Sequence, residues 1–187
     1  MIRVGATLAV ALKIWKGEFK MPFYNRKSIR LYDYDYSQEG GYFITICTEK
    51  RRNLLSHIYE NGECERAVVS YTQIGRIAEA ALLETAVKQG IVLDSYVIMP
   101  NHIHAIVFIE KNIEGNLSLG SFVGAFKSIA ANRWINVCKA EGNIAGKLWQ
   151  RNYYEHILRN KQDYQEKRRY IEDNPDKWRM DEEYVQW

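Results

Sequence analysis

Apolar residues along this chain recur with two different periods, and the switches between them outline the fold. After a Gly40-Gly41 turn, Tyr42-Phe43-Ile44-Thr45-Ile46-Cys47-Thr48 is rich in β-branched and aromatic residues, the composition of a strand. Residues 49–71 read as a loop with an edge strand near Glu65–Ser70. From Thr72 to Lys88 the period changes. Ile74, Ile77, Ala78, Ala81, Leu82 and Thr85 repeat at helical spacing, and Gly90 ends the helix. Ile91–Met99 is a second strand, Pro100-Asn101 turns the chain, and His102–Glu110 returns as the third, closing a hairpin. A loop from Gly115 to Gly120 precedes Phe122, Phe126, Ile129, Ala130, Trp134 and Val137, the apolar stripe of a long helix ending near Lys139. Tyr153–Leu158 reads as a fourth strand. Asn160 is placed to cap a last helix over Lys161–Asn174, with Asp163 at the capping-box position and Pro175 as the stop.

This order predicts an α+β fold: a ferredoxin-like/RRM-like βαββαβ antiparallel sheet with helices on one face, plus a C-terminal helix. Helix crossovers are expected to put the first and third strands side by side in parallel, with the hairpin antiparallel. The 187 residues fit one domain, and only three prolines argue against long disordered linkers. A net charge of +3 permits a nucleic-acid partner without demanding one. Cys47, Cys64 and Cys138 are too scattered for a zinc ribbon or a disulfide framework and read as reduced thiols of the cytosol, Cys47 buried in its strand. Residues 4–12 are apolar behind Arg3, yet the run is too short to span a bilayer and Lys13-Ile14-Trp15-Lys16 follows it instead of a small-residue cleavage site. Residues 1–20 are therefore expected to be an extension upstream of a functional start at Met21, with an edge strand or short helix as the alternative. Residues 21–187 are expected to form a single domain.

Two stretches carry chemistry. In Met99-Pro100-Asn101-His102-Ile103-His104, strand alternation puts both imidazoles on one face and Ile103 on the other. Such a pair is half of a metal site, although ordinary packed sheets, cupins and zinc hydrolases also contain it. A histidine-triad hydrolase is disfavoured, because Ile106 stands where its third histidine belongs. In Tyr170-Ile171-Glu172-Asp173-Asn174-Pro175, Tyr170 and Asn174 are four apart on one helical face, behind Lys167, Arg168 and Arg169. A phenol among cations and near a metal gives up its proton more readily than its usual pKa of about 10 implies, and a phenolate attacks phosphodiesters. A helical tyrosine is more often half-buried packing, so spacing alone leaves both roles open.

Taken as an ordered set, these segments resemble the REP-associated branch of the single-tyrosine transposases, within the His-hydrophobe-His nuclease superfamily. The resembling text runs from about Arg26 to Trp178. It includes Tyr34-Asp35-Tyr36, Gly41 to Thr48, Val97 to His104, Leu119 to Ser128, and Tyr170 to Pro175. The resemblance implies that His102, His104 and Asn174 hold one divalent metal, Mg2+ or Mn2+. It implies that Tyr170 attacks DNA, leaving a 5′-phosphotyrosine and a free 3′-hydroxyl. Many insertion-sequence relatives carry glutamine where this chain has Asn174, so the shorter arm requires the helix to sit closer to the strand.

The implied activity is a metal-dependent single-stranded DNA endonuclease and strand transferase acting near repeated palindromic hairpins. It would work in the cytoplasm at the nucleoid, as a monomer or a homodimer. A domesticated hairpin-binding protein without cleavage and a His-x-His metal hydrolase are the alternatives. With two imidazoles and an amide the donor set is neutral, which predicts weak metal binding until substrate phosphate completes the shell. Nitrogen ligands favour manganese in affinity. Candidate phosphate contacts are Lys127, Arg133, Lys147, Arg151, Arg159, Lys161, Lys167 and Arg168, with Arg26, Lys27 and Arg30 as a basic arm. Trp149, Tyr153 and Tyr154 are candidates for stacking on unpaired bases. His156 reads as packing more readily than as a spare ligand.

Overall fold

The computed structural model describes residues 3–4, 34–59, 66–110 and 117–181. The basic arm of Arg26, Lys27 and Arg30, most of the 1–20 extension, and Cys64 lie outside the described residues. The strands are β1 (Arg3–Val4), β2 (Gly40–Cys47), β3 (Ser56–Tyr59), β4 (Val68–Tyr71), β5 (Val92–Ile98), β6 (His102–Ile109) and β7 (Tyr154–Leu158). The α-helices are α1 (Gln73–Gln89), α2 (Leu119–Ala140) and α3 (Lys161–Asp173). Among the described residues no helix is long and apolar enough to cross a membrane.

The main sheet has the order β1-β5-β6-β2-β7. Without β1, this is the ferredoxin-like βαββαβ arrangement. The first and third core strands, β2 and β6, are neighbours as expected, but they pair antiparallel, with Thr45 opposite His104 and Cys47 opposite His102. The parallel expectation mistook which strands the crossover relates. A helical crossover makes β2 and β5 run the same way. The tight turn at Pro100-Asn101 then reverses the chain, so β6 must oppose both.

Alternation sorts side chains onto two faces of the sheet. Ile103, Ala105, Val107 and Ile109 of β6 join Tyr42, Ile44 and Ile46 of β2 in a core closed by Ala78, Leu82, Phe122 and Phe126 of α1 and α2. The opposite face carries Phe43, Ile106 and Phe108, covered by Tyr164 and Ile171 of α3. Every residue of β6 is buried, which is why its apolar run is continuous. Cys47 and Cys138 are both buried.

Local chemistry sets the helix ends. Thr72 caps α1 by accepting from the Gly75 amide at 3.1 Å, and Gly90 ends it at φ 65°. Helix α2 starts before the expected loop is over. Ser118 and Ser121 exchange side-chain-to-backbone hydrogen bonds in a capping box, drawing Leu119 and Gly120 into the first turn. In α3, Asn160 accepts from the Asp163 amide at 2.9 Å. The Asp163 carboxylate accepts instead from the Arg159 amide and from His156 Nε2, which ties His156 to the helix start. The edge strand expected near Glu65–Ser70 is β4, and it pairs with β3 in a separate two-stranded sheet. In β3, Ser56 and Ile58 face inward and His57 and Tyr59 outward, an alternation that four residues with a single aliphatic side chain do not advertise.

Gly75 lies where α1 crosses the backbone of Leu55. An added Cβ would overlap the Leu55 carbonyl oxygen. A helical Gly→Ala change ordinarily gains about 1 kcal/mol. Gly75→Ala is expected instead to cost roughly 2–3 kcal/mol through overpacking. This would appear as a lowered urea midpoint, and an unchanged or raised midpoint would contradict the packing described.

Candidate metal and nucleophile site

The site is built on the face of β6 that α3 covers. His102 is 0% and His104 3% exposed, deeper than imidazoles usually sit. Each ring satisfies one nitrogen. His102 Nδ1 lies 2.8 Å from the side-chain oxygen of Asn101, and His104 Nδ1 lies 2.9 Å from Thr45 Oγ1. The amide oxygen only accepts, so His102 carries its proton on Nδ1 and its Nε2 lone pair is exposed to the site. Both Nε2 atoms are buried without a hydrogen-bond partner. Burial pushes the His102 pKa down to about 3, with the charge of Arg51 adding to the effect. Burial, and then His102 beside it, drives His104 well below the ordinary histidine value. Both rings are therefore neutral at pH 7, the form that binds metal.

Helix α3 brings the second pair. Its fully buried Tyr164 and Ile171 fix it against the sheet. One turn of helix places Tyr170 and Asn174 over the histidines. The Tyr170 ring centroid is 5.1 Å from that of His104 and 5.9 Å from that of Phe43, which itself stacks on His104 at 5.1 Å. Tyr170 is 41% exposed, so the side chain is open to the outside. Asn174 is 2% exposed, and its Oδ1 is buried without a partner. The four residues singled out in the sequence thus meet on one face of the sheet.

The structure adds a fifth residue. After Pro175 the chain turns through a short 3-10 helix, Trp178–Met180, and comes back over the site. Asp181 Oδ2 accepts from the Tyr170 hydroxyl at 3.1 Å and from Asn174 Nδ2 at 2.6 Å. One ligand atom from each of His102, His104 and Asp181 lies within 4.8 Å of the others. Sequence reasoning missed Asp181 because it lies on no periodic element. The one available signal was a proline-stopped helix with enough chain after it to fold back. The donors fit a divalent cation: two neutral imidazole nitrogens and a carboxamide oxygen, all buried and unpartnered, beside a carboxylate. A carboxylate that the sequence analysis did not anticipate therefore stands beside the neutral donors.

The candidate phosphate contacts separate into two groups. Lys167 Nζ lies over the Phe43 ring at 5.4 Å, one turn before Tyr170. Arg151, Arg159 and Lys161 are exposed. Lys127, Arg133 and Arg168 are engaged inside the fold. Lys127 Nζ donates to the carbonyls of Gln150 at 3.0 Å and Asn152 at 2.8 Å, and burial lowers its pKa to about 8. Arg133 is ion-paired with Glu84, and Lys147 with Glu49. Arg168 donates to Glu172 at 3.2 Å and to the Tyr164 hydroxyl at 3.3 Å. Trp149 and Tyr153 belong to the core, whereas Tyr154 is exposed.

Known proteins share this chain's sequence pattern and its fold. The profile of the family described as "Transposase IS200 like" matches residues 38–174. An uncharacterized protein of Haemophilus influenzae is 30% identical, over 90% of this chain and 98% of its own length. Among solved structures, a REP-associated tyrosine transposase bound to a REP hairpin shares the fold. Its TM-score is 0.56 at 21% identity, covering 84% of this chain and 74% of the other. A putative transposase from Deinococcus radiodurans R1 gives a TM-score of 0.48 at 18% identity, covering 77% of this chain and 95% of the other.

The buried histidines predict acid sensitivity. Unfolded, an imidazole takes its proton near pH 6.5, whereas folded His102 resists until about pH 3. This contribution to stability is complete above pH 6.5 and falls as the pH drops, by up to about 1.4 kcal/mol per pH unit for each histidine. Urea midpoints measured in EDTA are expected to decline between pH 7 and pH 5 more steeply in the wild type than in a His102→Gln/His104→Gln variant. Parallel declines would contradict the buried neutral state.

Proposed function

We infer that this chain, which belongs to the family of IS200-like transposases, cuts and rejoins single-stranded DNA with Tyr170 as the nucleophile and a divalent metal at His102, His104 and Asn174. One observation carries this reading. An exposed tyrosine side chain stands beside three buried, unpartnered metal-donor atoms supplied by two separate elements. Packing alone gives no reason for that meeting.

A divalent ion held there, Mg2+ or Mn2+, would polarise the scissile phosphate and neutralise charge that builds in the transition state. The remaining steps belong to the chain's own residues. The Tyr170 oxygen attacks phosphorus in line, with its proton already directed at Asp181 Oδ2. The new bond joins the tyrosine oxygen to phosphorus, and the bond from phosphorus to the 3′ oxygen breaks. The 3′ oxygen takes a proton and leaves as a hydroxyl, while the 5′ side stays on Tyr170. The diester's energy is kept in that linkage, so a 3′-hydroxyl can reverse the step without an external energy source. Lys167, beside the nucleophile, is placed to meet the phosphate, and exposed Arg151 and Arg159 extend positive charge along the surface. The resemblance to REP-associated tyrosine transposases supports repeated palindromic hairpins as the substrate and the cytoplasmic nucleoid as the place of action.

Incubation with an end-labelled single-stranded hairpin and Mn2+ tests the proposal. The wild type is expected to form a covalent protein–DNA adduct that survives denaturation. In Tyr170→Phe the adduct is expected to fall by a factor on the order of 1,000 or more, since the attacking atom is gone. Adduct at wild-type levels in Tyr170→Phe would contradict the assignment. Hairpin binding without adduct by the wild type would point to a DNA-binding protein that does not cleave, and cleavage independent of Tyr170 to a metal hydrolase.

A further inference from the structure

We propose that Asp181 is an anionic ligand of the same divalent ion, so that the free protein binds metal without DNA. The proposal rests on the reading of His102 and His104 as metal ligands and adds to it a residue beyond Asn174, where the family match ends.

Three features of the structure support it. The first is position. The segment after Pro175 is pinned by Trp178, which is largely buried and whose ring lies 5.9 Å from that of His102. The Asp181 amide donates to the Trp178 carbonyl at 3.1 Å, closing the turn that presents the carboxylate to the imidazoles. Asp181 then lies within 4.8 Å of the histidine donor atoms. An ion with ligands at about 2.0–2.3 Å holds them roughly 3–4.5 Å from one another, a spacing these donor atoms can reach by side-chain movement.

The second feature is the orientation of Asn174. A carboxylate only accepts, so the contact of 2.6 Å to Asp181 Oδ2 fixes the NH2 end of the Asn174 amide on Asp181. The amide oxygen is then the end left buried and unpartnered, as a metal donor must be. Asp181 thus sets the orientation of one ligand. A carboxylate offers about four acceptor sites, so these two hydrogen bonds do not by themselves exhaust it.

The third is charge. Two imidazoles and a carboxamide present no negative charge to a dication, whereas Mg2+ and Mn2+ favour carboxylate oxygen. With Asp181 the set becomes two nitrogens and two oxygens carrying one negative charge.

Calorimetry of the full chain with Mn2+ alone, without DNA, tests this on wild type, Asp181→Asn and His102→Gln. Asn at this position keeps the size and an acceptor oxygen for Tyr170 and Asn174, and removes the charge. The wild type is expected to bind one Mn2+, and Asp181→Asn to bind it at least 10-fold more weakly. The visible absorption of the Co2+-loaded protein should shift in Asp181→Asn as a ligand changes. Mn2+ affinity within twofold of wild type, or weaker binding with an unchanged Co2+ spectrum, would overturn the proposal. If His102→Gln abolishes binding while Asp181→Asn does not alter it, the ligand role of Asp181 falls and the histidine site stands. If the wild type takes up no Mn2+, both fall.

Discussion

Two neutral imidazoles are held in the middle of a sheet whose buried side chains are mostly aliphatic and aromatic, and the site follows from the cost of keeping them there. A buried polar atom without a partner costs about 1–3 kcal/mol. Asn101 and Thr45 relieve that cost at the Nδ1 atoms of His102 and His104, and no described residue relieves it at either Nε2. Asn174 Oδ1 repeats the pattern from the opposite element. Three buried acceptors left unrelieved on two neighbouring elements suit a cation far better than they suit packing.

The strand supplies the rigidity that such a site requires. Strand β6 is buried on both faces and flanked by β2 and β5, so its imidazoles have little freedom. The proposed nucleophile is on a different footing. Helix α3 is anchored by Tyr164 and Ile171 on its inner face while Tyr170 stays open to the outside. A fixed ligand pair beneath an exposed tyrosine is what an attack on a large, external phosphodiester demands. The buried network from Asp94 through Tyr164 to Arg168 holds the helix at the register where this works.

Much of this was legible because it obeys local periods. The two-residue repeat of a strand placed His102 and His104 together, and the helical repeat placed Tyr170 with Asn174. Thr72, Gly90 and Asn160 marked helix ends through side-chain chemistry that acts within a few residues. What escaped the sequence depends on partners far away along the chain. The antiparallel pairing of β2 and β6 follows from counting chain reversals rather than crossovers. The carbonyls of Gln150 and Asn152 that occupy Lys127 are visible only once that segment has packed on α2, and Glu84 beside Arg133 only once α1 and α2 have met. Asp181 reaches the site through a turn whose course no hydrophobic pattern records. Those losses fall on charged side chains, whose partners are set by tertiary structure and leave no periodic trace.

The central claim is that one ion's coordination sphere gathers side chains from β6 and the end of α3. Crystals grown with Mn2+ and measured for its anomalous scattering test this most directly. A single strong peak within about 2.0–2.3 Å of His102 Nε2, His104 Nε2 and Asn174 Oδ1, with the Tyr170 hydroxyl facing it, is the predicted result. A manganese peak at other residues, with the space between the two histidines filled by protein atoms alone, would contradict it.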